Sequence, residues 1–109
     1  MTENCIFCKI INKEIQSNFV YEDENIIAIN DLNPKAETHI LVIPKTHVAS
    51  LKEVDEEKII VDVIKGVQKI TEKLGITDYR MVINTGKGAG QTVFHLHVHI
   101  LAGKGIDNI

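Results

Sequence analysis

Hydrophobic residues recur along the chain at two different periods, and each period predicts one type of element. Between positions 55 and 74 they return at steps of three and four, which predicts one face of an amphipathic helix. Acidic residues in its first turn and Gly75 after its last periodic position support that interpretation. Segments rich in apolar and β-branched residues predict five strands, at residues 18–21, 26–30, 38–43, 79–84 and 93–101.

The order of these elements predicts a fold class. The long helix falls between the third and fourth strands, and Ser50 with Glu53 matches a capping box, which predicts a helix start there. Five strands with one long helix predict an α+β fold, in which the helix covers one face of a mostly antiparallel sheet. The length of 109 residues fits a single domain spanning residues 1–109.

Composition and charge narrow the choice of compartment and partners. The net charge of −3 argues against a broad nucleic-acid surface, which needs clustered Lys and Arg, so an anionic substrate must be held by local groups. No apolar stretch approaches the 18 or so residues of a membrane span, and residues 1–4 lack the basic start of a secretory signal. We therefore expect a cytoplasmic protein that binds neither nucleic acid nor membranes.

The most distinctive chemistry lies in a run where histidines alternate with apolar residues. On a strand alternate side chains share a face, so His95, His97 and His99 would lie about 6.6 Å apart. The alternate apolar residues would face the core, namely Phe94, Leu96, Val98 and Ile100. A neutral imidazole is a competent nucleophile at about pH 7, so the row suits attack on phosphorus. Two alternatives remain open: satisfied structural histidines, or a zinc hydrolase that uses His95 and His97 as ligands.

A glycine-rich segment precedes the histidines. Residues 84–92, Asn-Thr-Gly-Lys-Gly-Ala-Gly-Gln-Thr, favour a phosphate cradle, because glycines allow backbone N–H groups to converge on an anion. The spacing fits neither a Walker loop nor a dinucleotide-binding fingerprint. An ordinary hairpin loop is the alternative, and the position directly before the histidine run favours the cradle.

Residues 95–101, His-Leu-His-Val-His-Ile-Leu, resemble the signature of the histidine-triad superfamily at every position. The resemblance extends through residues 31–34, 38–47, 80–84 and the lead-in at 90–94, and the opening Cys-Ile-Phe-Cys-Lys-Ile is similar to the bacterial nucleotide-binding branch. It implies a five-stranded, mostly antiparallel sheet with one long helix and a short N-terminal helix. It also implies a homodimeric nucleotide hydrolase that works through a nucleotidyl-histidine intermediate.

The resemblance further implies roles for individual residues. His97 would be the nucleophile, flanked by His95, while His99 would contact the phosphate and the leaving group. Asp31 would bind the ribose, Leu32 would lie beside the base, and His39 would be a further active-site histidine behind the triad. The phosphate would be surrounded by Asn84, Gly90, Gln91 and Thr92.

The expected activity is that of a purine nucleoside phosphoramidase or nucleoside monophosphate-ester hydrolase acting on AMP- or GMP-type substrates. A dinucleoside polyphosphate hydrolase and a nucleotidyl transferase remain alternatives, because the triad alone does not specify the leaving group. A regulatory nucleotide-binding module with little turnover is a further alternative, although a module that only binds has no need for a nucleophilic histidine.

The cysteine spacing indicates a metal site. Cys5 and Cys8 have the spacing of half a zinc site, and no strand precedes Cys5 as a thioredoxin-like redox pair requires. The resemblance implies that His47 and His95 complete a closed, structural zinc site. The alternative is two reduced, buried cysteines that behave as small hydrophobic residues.

Overall fold

A computed structural model describes residues 4–106 of the chain. A short helix α1 (Ile6–Ile11) precedes three strands, which are β1 (Phe19–Glu22), β2 (Ile26–Asn30) and β3 (Thr38–Pro44). The long helix α2 (Glu57–Leu74) follows, and β4 (Arg80–Val82) and β5 (Val98–Ala102) complete the chain. The strands form one antiparallel sheet in the order β1-β2-β3-β5-β4, which confirms the predicted fold class with its long and short helices.

The strands are apolar on both faces because each face is covered by a helix. On one face, Ala28, Val42 and Val98 lie in register across β2, β3 and β5 and pack under Val63 and Val67 of α2. The helix approaches closely at Gly66, where a Cβ atom would collide with the side chain of Ile26. On the opposite face α1 packs on alternate residues of β2 and β3, and this second core contains Phe7, Cys8, Ile27, Leu41 and Ile43. Within residues 4–106, no helix is both long and apolar enough to cross a membrane.

The helix starts later than predicted. Leu51–Glu53 form a single 3₁₀ turn after Ser50, whose Oγ lies 3.3 Å from a carboxylate oxygen of Glu53. The extended backbone of Val54 then ends this turn, so α2 begins at Glu57. The predicted stop is confirmed, because Gly75 adopts a left-handed φ of 69° and its N–H caps the helix.

The histidine run is only partly a strand, which corrects the prediction for residues 93–101. Strand β5 begins at Val98, because the N–H of Leu96 donates to the carbonyl of Val48, 2.8 Å away, rather than to a neighbouring strand. Leu96, Val98 and Ile100 are buried as predicted, but Phe94 is 48% exposed and does not contribute to the core.

Candidate active site

A cleft of about 530 Å³ opens on the sheet face that carries α1. One wall is the loop between β2 and β3, the other is the glycine-rich segment, and β5 forms the floor. The cleft brings together seven of the residues predicted to act on a nucleotide, namely Asp31, His39, Asn84, Gly90, Thr92, His97 and His99.

His97 is held in one tautomer. Its Nδ1–H donates to the carbonyl oxygen of His95 at 2.8 Å, so Nε2 carries the lone pair. The ring also makes an edge-to-face contact with Phe7 of α1, with 5.1 Å between the ring centroids. Burial lowers the pKa of His97, while the bond to His95 and the charge of Asp31 oppose that shift. His97 therefore offers a neutral nucleophilic nitrogen to the cleft.

A hydrogen-bond chain fixes His99 in the opposite tautomer. The backbone N–H of Lys35 donates to Nδ1 of His39 at 3.0 Å, so the proton of this imidazole lies on Nε2. That N–H donates to Nδ1 of His99 at 2.9 Å. Nε2 of His99 consequently carries a proton that it can donate to a bound anion. Burial first, then the neighbouring charges of His97, His39 and Lys35, lower the pKa of His99 to about 4, so the ring stays neutral.

Asp31 stands on the same wall of the cleft. One of its carboxylate oxygens accepts the N–H of Asn33 at 2.8 Å, which fixes the side chain, and the other lies 3.4 Å from Nε2 of His39. Asp31, His39 and His99 are close enough to hold a metal ion, but the proton on Nε2 of His39 occupies the position of the required lone pair. Leu32, predicted to lie beside the base, is fully exposed and does not line the cleft.

The glycine-rich segment turns tightly beside the histidines. Gly86 and Gly90 adopt φ values of 90° and 93°, which side chains with a Cβ rarely adopt, around a short 3₁₀ turn. The Asn84 side chain donates to the carbonyl of Ala89 at 2.8 Å and thereby braces the turn.

Gln91 was predicted to surround the phosphate, but its side chain is only 3% exposed and does not line the cleft. Its Oε1 accepts the N–H of Gly86 at 2.9 Å, and its Nε2 donates to the carbonyls of Ala49 at 2.7 Å and Val93 at 3.0 Å. The amide is therefore fully engaged with the backbone.

His95 belongs to a different site from His97. It is completely buried, and its Nε2–H donates to the carbonyl of Pro44 at 2.8 Å, so the lone pair of Nδ1 points the other way. Nδ1 lies 3.3 Å from Sγ of Cys5, 3.6 Å from Sγ of Cys8 and 3.1 Å from Nδ1 of His47. Neither candidate metal cluster within residues 4–106 includes His97, so the structure does not support a zinc hydrolase that uses both histidines as ligands.

The cluster of Cys5, Cys8, His47 and His95 suits a tetrahedral metal ion. With Zn–S bonds of about 2.3 Å and Zn–N bonds of about 2.0–2.1 Å, neighbouring ligand atoms lie about 3.3–3.8 Å apart. The distances within this cluster fall close to that range, and Sγ of Cys8 lies 3.3 Å from Nδ1 of His47. Burial lowers the pKa of His95 to about 4, which keeps its ring neutral and able to act as a ligand.

Two further residues contribute to the site without having been assigned a role from the sequence. Phe7 contacts the rings of both His95 and His97 from α1. Lys35 lines the cleft, and its backbone orients His39. Neither residue has a distinctive sequence signal, because an apolar residue in a short helix and a lysine after a proline are common in proteins of any function.

A five-stranded antiparallel sheet with a short helix packed over alternating histidines defines a histidine-triad protein. A family model described as HIT domain matches residues 12–106, and the chain belongs to that family. It is 40% identical over 108 residues to the purine nucleoside phosphoramidase of Escherichia coli, covering 95% of this chain and 91% of that protein. It is also 45% identical over 102 residues to protein HitA of Neisseria gonorrhoeae, covering 91% and 95% of the two chains.

Solved structures show the same fold. A HIT family hydrolase from Clostridium thermocellum superposes with a TM-score of 0.89 at 51% identity, covering 94% of this chain and 93% of that one. A histidine triad protein from Clostridium difficile superposes with a TM-score of 0.87 at 48% identity, covering 93% and 91%.

Proposed function

We propose that this protein is a hydrolase of nucleotidyl derivatives, most specifically a purine nucleoside phosphoramidase that forms a nucleotidyl-His97 intermediate. The observation that carries the proposal is the tautomer of His97. Its Nδ1–H is bound to the His95 carbonyl, which leaves the Nε2 lone pair for attack within the cleft. The similarity to the Escherichia coli phosphoramidase supports the choice of substrate class.

The reaction proceeds by double displacement. Nε2 of His97 attacks phosphorus, and the bond to the leaving nitrogen breaks with its electron pair. The departing amine takes up a proton from solvent, and the water that attacks in the second displacement returns one. The Nε2–H of His99 hydrogen-bonds the phosphoryl oxygen or the leaving atom, where negative charge develops. Water then attacks phosphorus, releases His97 and yields a nucleoside monophosphate. The net change is the addition of one water molecule across the P–N bond.

The walls of the cleft position the substrate. Asp31 binds the ribose hydroxyls through the carboxylate that the backbone N–H of Asn33 holds in place. Gly90, Thr92 and the braced Asn84 lie around the phosphate. Gln91 contributes to the phosphate site indirectly, because its side chain fixes the backbone of the glycine-rich segment.

The cysteine and histidine cluster holds a structural zinc ion in this proposal. Cys5, Cys8, His47 and His95 would supply four ligands, which leaves no open position for catalysis. Zinc bound there cross-links α1 to the histidine run and stabilises the folded chain.

We also propose a cytoplasmic homodimer. β4 is at the edge of the sheet, and Met81 on this strand is 42% exposed. Ile60 and Val61 of α2 are likewise 39% and 44% exposed. A second copy of the chain that packs on these apolar side chains would remove them from water. Cys5 and Cys8 form no disulfide with each other, which fits a reducing compartment.

The proposed function is tested by trapping the intermediate. The protein is mixed briefly with an adenosine phosphoramidate, quenched with acid and examined by intact-mass and peptide mass spectrometry. We expect one adenylyl group, located on the peptide that contains His97, and AMP as the product. His97→Ala is the matched control and should show neither the adduct nor turnover, while nucleotide binding stays within about tenfold of the parent. Turnover by the His97→Ala protein, or binding without turnover by the parent, would contradict the proposal.

A further inference from the structure

A second cleft, of about 510 Å³, opens beside the candidate active site. Its lining comes from the start of α1, from residues 47 and 49 after β3, and from residues 92–94 before the histidine run. Two of the lining side chains are large, apolar and open to water, since Phe94 is 48% exposed and Ile6 is 47% exposed. Neither side chain belongs to the two hydrophobic cores. Exposed apolar side chains that line one concave surface indicate a binding site.

The two clefts meet at Thr92. This exposed residue lines both of them, and in the proposed function it lies beside the phosphate. A group attached to that phosphate therefore enters the second cleft by passing Thr92. The passage has a fixed frame, because the Gln91 side chain donates to the carbonyls of Ala49 and Val93, and both of these residues line the second cleft.

Strand pairing shows where the second cleft lies relative to the nucleotide. His39, whose carbonyl accepts the N–H of Asp31 at 2.9 Å, pairs with Leu101 near the end of β5. The second cleft lies toward the other end of the histidine run, where the N–H of Leu96 donates to the segment that follows β3. His97 lies between these two ends. A nucleotide with its ribose at Asp31 and its phosphorus at His97 therefore leaves the second cleft for the remaining substituent of phosphorus, which is the leaving group.

We propose that the second cleft is a leaving-group subsite, in which Phe94 and Ile6 select phosphoramidates of amines that carry an aromatic or bulky apolar group. This inference rests on the proposed function, because it assumes ribose at Asp31 and attack by His97. An apolar group in the cleft would remove Phe94 and Ile6 from water, and an aromatic ring would also stack on or meet the edge of Phe94. Among residues 4–106, no Lys, Arg, Asp or Glu lines this cleft, so a charged group would gain no ion pair there.

Two substrates test the proposal: the adenosine 5′-phosphoramidates of benzylamine and of methylamine. The quantity measured is the ratio of their kcat/KM values, benzyl over methyl, in the parent and in Phe94→Ala. The intrinsic difference in reactivity between the two amines cancels when the ratio is compared between proteins. We expect Phe94→Ala to lower the ratio by roughly two- to tenfold, the range for one aromatic contact. Ile6→Ala should lower it in the same direction but by less.

Two control variants isolate the subsite. Phe94→Tyr keeps the aromatic ring and should keep the ratio. Ile15→Ala removes an apolar side chain that is 38% exposed and lines a different cavity, and it should leave the ratio unchanged. Melting curves and light scattering are recorded for each variant, so that a change in folding or in assembly is recognised.

The outcomes separate this inference from the proposed function. If the parent hydrolyses both substrates and Phe94→Ala leaves their ratio unchanged, the subsite is refuted while the proposed function stands. A changed preference between adenosine and guanosine phosphoramidates of one amine would also refute it, since the second cleft would then hold the base. If the parent hydrolyses neither substrate, the proposed function fails and this inference fails with it.

Two further results would assign Phe94 a different role and overturn the proposal. The amine has already left when water attacks the adenylyl-His97 intermediate, so a leaving-group contact does not act on that step. Slower release of AMP from the preformed intermediate in Phe94→Ala would therefore show that Phe94 supports the fold of the site. A Phe94→Ala protein that scatters light as a monomer, beside a dimeric parent, would show that the second cleft is an interface between copies of the chain.

Discussion

Replacing Gln91 by alanine should lower the free energy of unfolding. It should not remove a direct contact with substrate, because the side chain does not line the cleft. The side chain is 3% exposed, and its amide joins three backbone segments. One bond holds Gly86 at the start of the glycine turn, and the other two hold Ala49 and the residue Val93 before the histidine run. The substitution leaves one N–H and two carbonyl groups without these partners.

The size of the effect follows from those three groups. A buried polar group without a partner costs about 1–3 kcal/mol, and the cost falls where water can reach it. Gly86, Ala49 and Val93 are only half-buried, so we expect the free energy of unfolding to fall by about 2–3 kcal/mol in total. For a domain of this size that corresponds to a melting temperature lowered by roughly 10–20 °C. Because the glycine turn loses its anchor, KM for a phosphoramidate should also rise.

The assay pairs melting curves with steady-state kinetics at a fixed protein concentration. Gln91→Glu keeps an oxygen for Gly86 but turns a carboxylate toward the carbonyls of Ala49 and Val93, so it should be at least as unstable as the alanine variant. Thr92→Val is the control, because the exposed Thr92 lines the cleft and should affect kinetics without affecting melting. A Gln91→Ala protein that melts within about 2 °C of the parent yet binds nucleotide poorly would refute this reasoning and assign Gln91 to the phosphate.

Three further predictions concern the metal, the dimer and pH. Protein purified without added metal should contain about one zinc per chain. Chelation or Cys5→Ser should lower the melting temperature more than it lowers the initial rate at low temperature. Little zinc and an unchanged melting curve would show that the two cysteines only pack in the core. Light scattering should give a dimer at micromolar concentration, and Val61→Glu should shift it toward monomer; a monomeric parent would reject the interface. Burial holds the pKa of His99 at about 4, whereas the unfolded chain takes up this proton at a pH of about 6.5, so stability should fall as pH drops from about 6.5 to about 4. Melting curves of the parent and His99→Gln test this, and an equally steep fall in both would contradict it.

Much of the fold could be predicted because each buried face requires a particular spacing. The three- and four-residue steps of α2 match the single face that packs on the sheet, with Val63, Val67 and Ile70 buried. The strands β2 and β3 appeared as nearly continuous apolar runs because helices cover both of their faces. The exact bounds could not be predicted, since the single turn at Leu51–Glu53 and the helix share the same local signals.

The histidine run shows where the local sequence pattern is not sufficient to predict the structure. Alternation of apolar and polar residues is the same in a paired strand and in an extended segment that pairs elsewhere. The N–H of Leu96 bonds to Val48, a contact that no spacing in the sequence encodes. His95 and His97 both contact Phe7 of α1, but they serve different sites. His95 belongs to the cysteine cluster, whereas His97 lines the cleft.

His95 connects the cysteine cluster to the cleft. This connection explains why a structural cluster lies so close to the proposed nucleophile, His97. The ring of His95 joins the cysteine cluster through Nδ1, while its backbone carbonyl accepts the Nδ1–H of His97. Phe7 of α1, the helix that contains Cys8 and has Cys5 as its N-cap, packs its ring against each of these imidazoles. The orientation of His97 therefore depends on a backbone carbonyl and an aromatic ring, both fixed by α1 and its cluster. An N-terminal helix of only six residues could not hold this position by helix propensity alone, since helices shorter than about 12–15 residues are marginal in water. A metal ion held by Cys5, Cys8, His47 and His95, as proposed above, would tie α1 to the histidine run and help to fix the His95 carbonyl that orients His97.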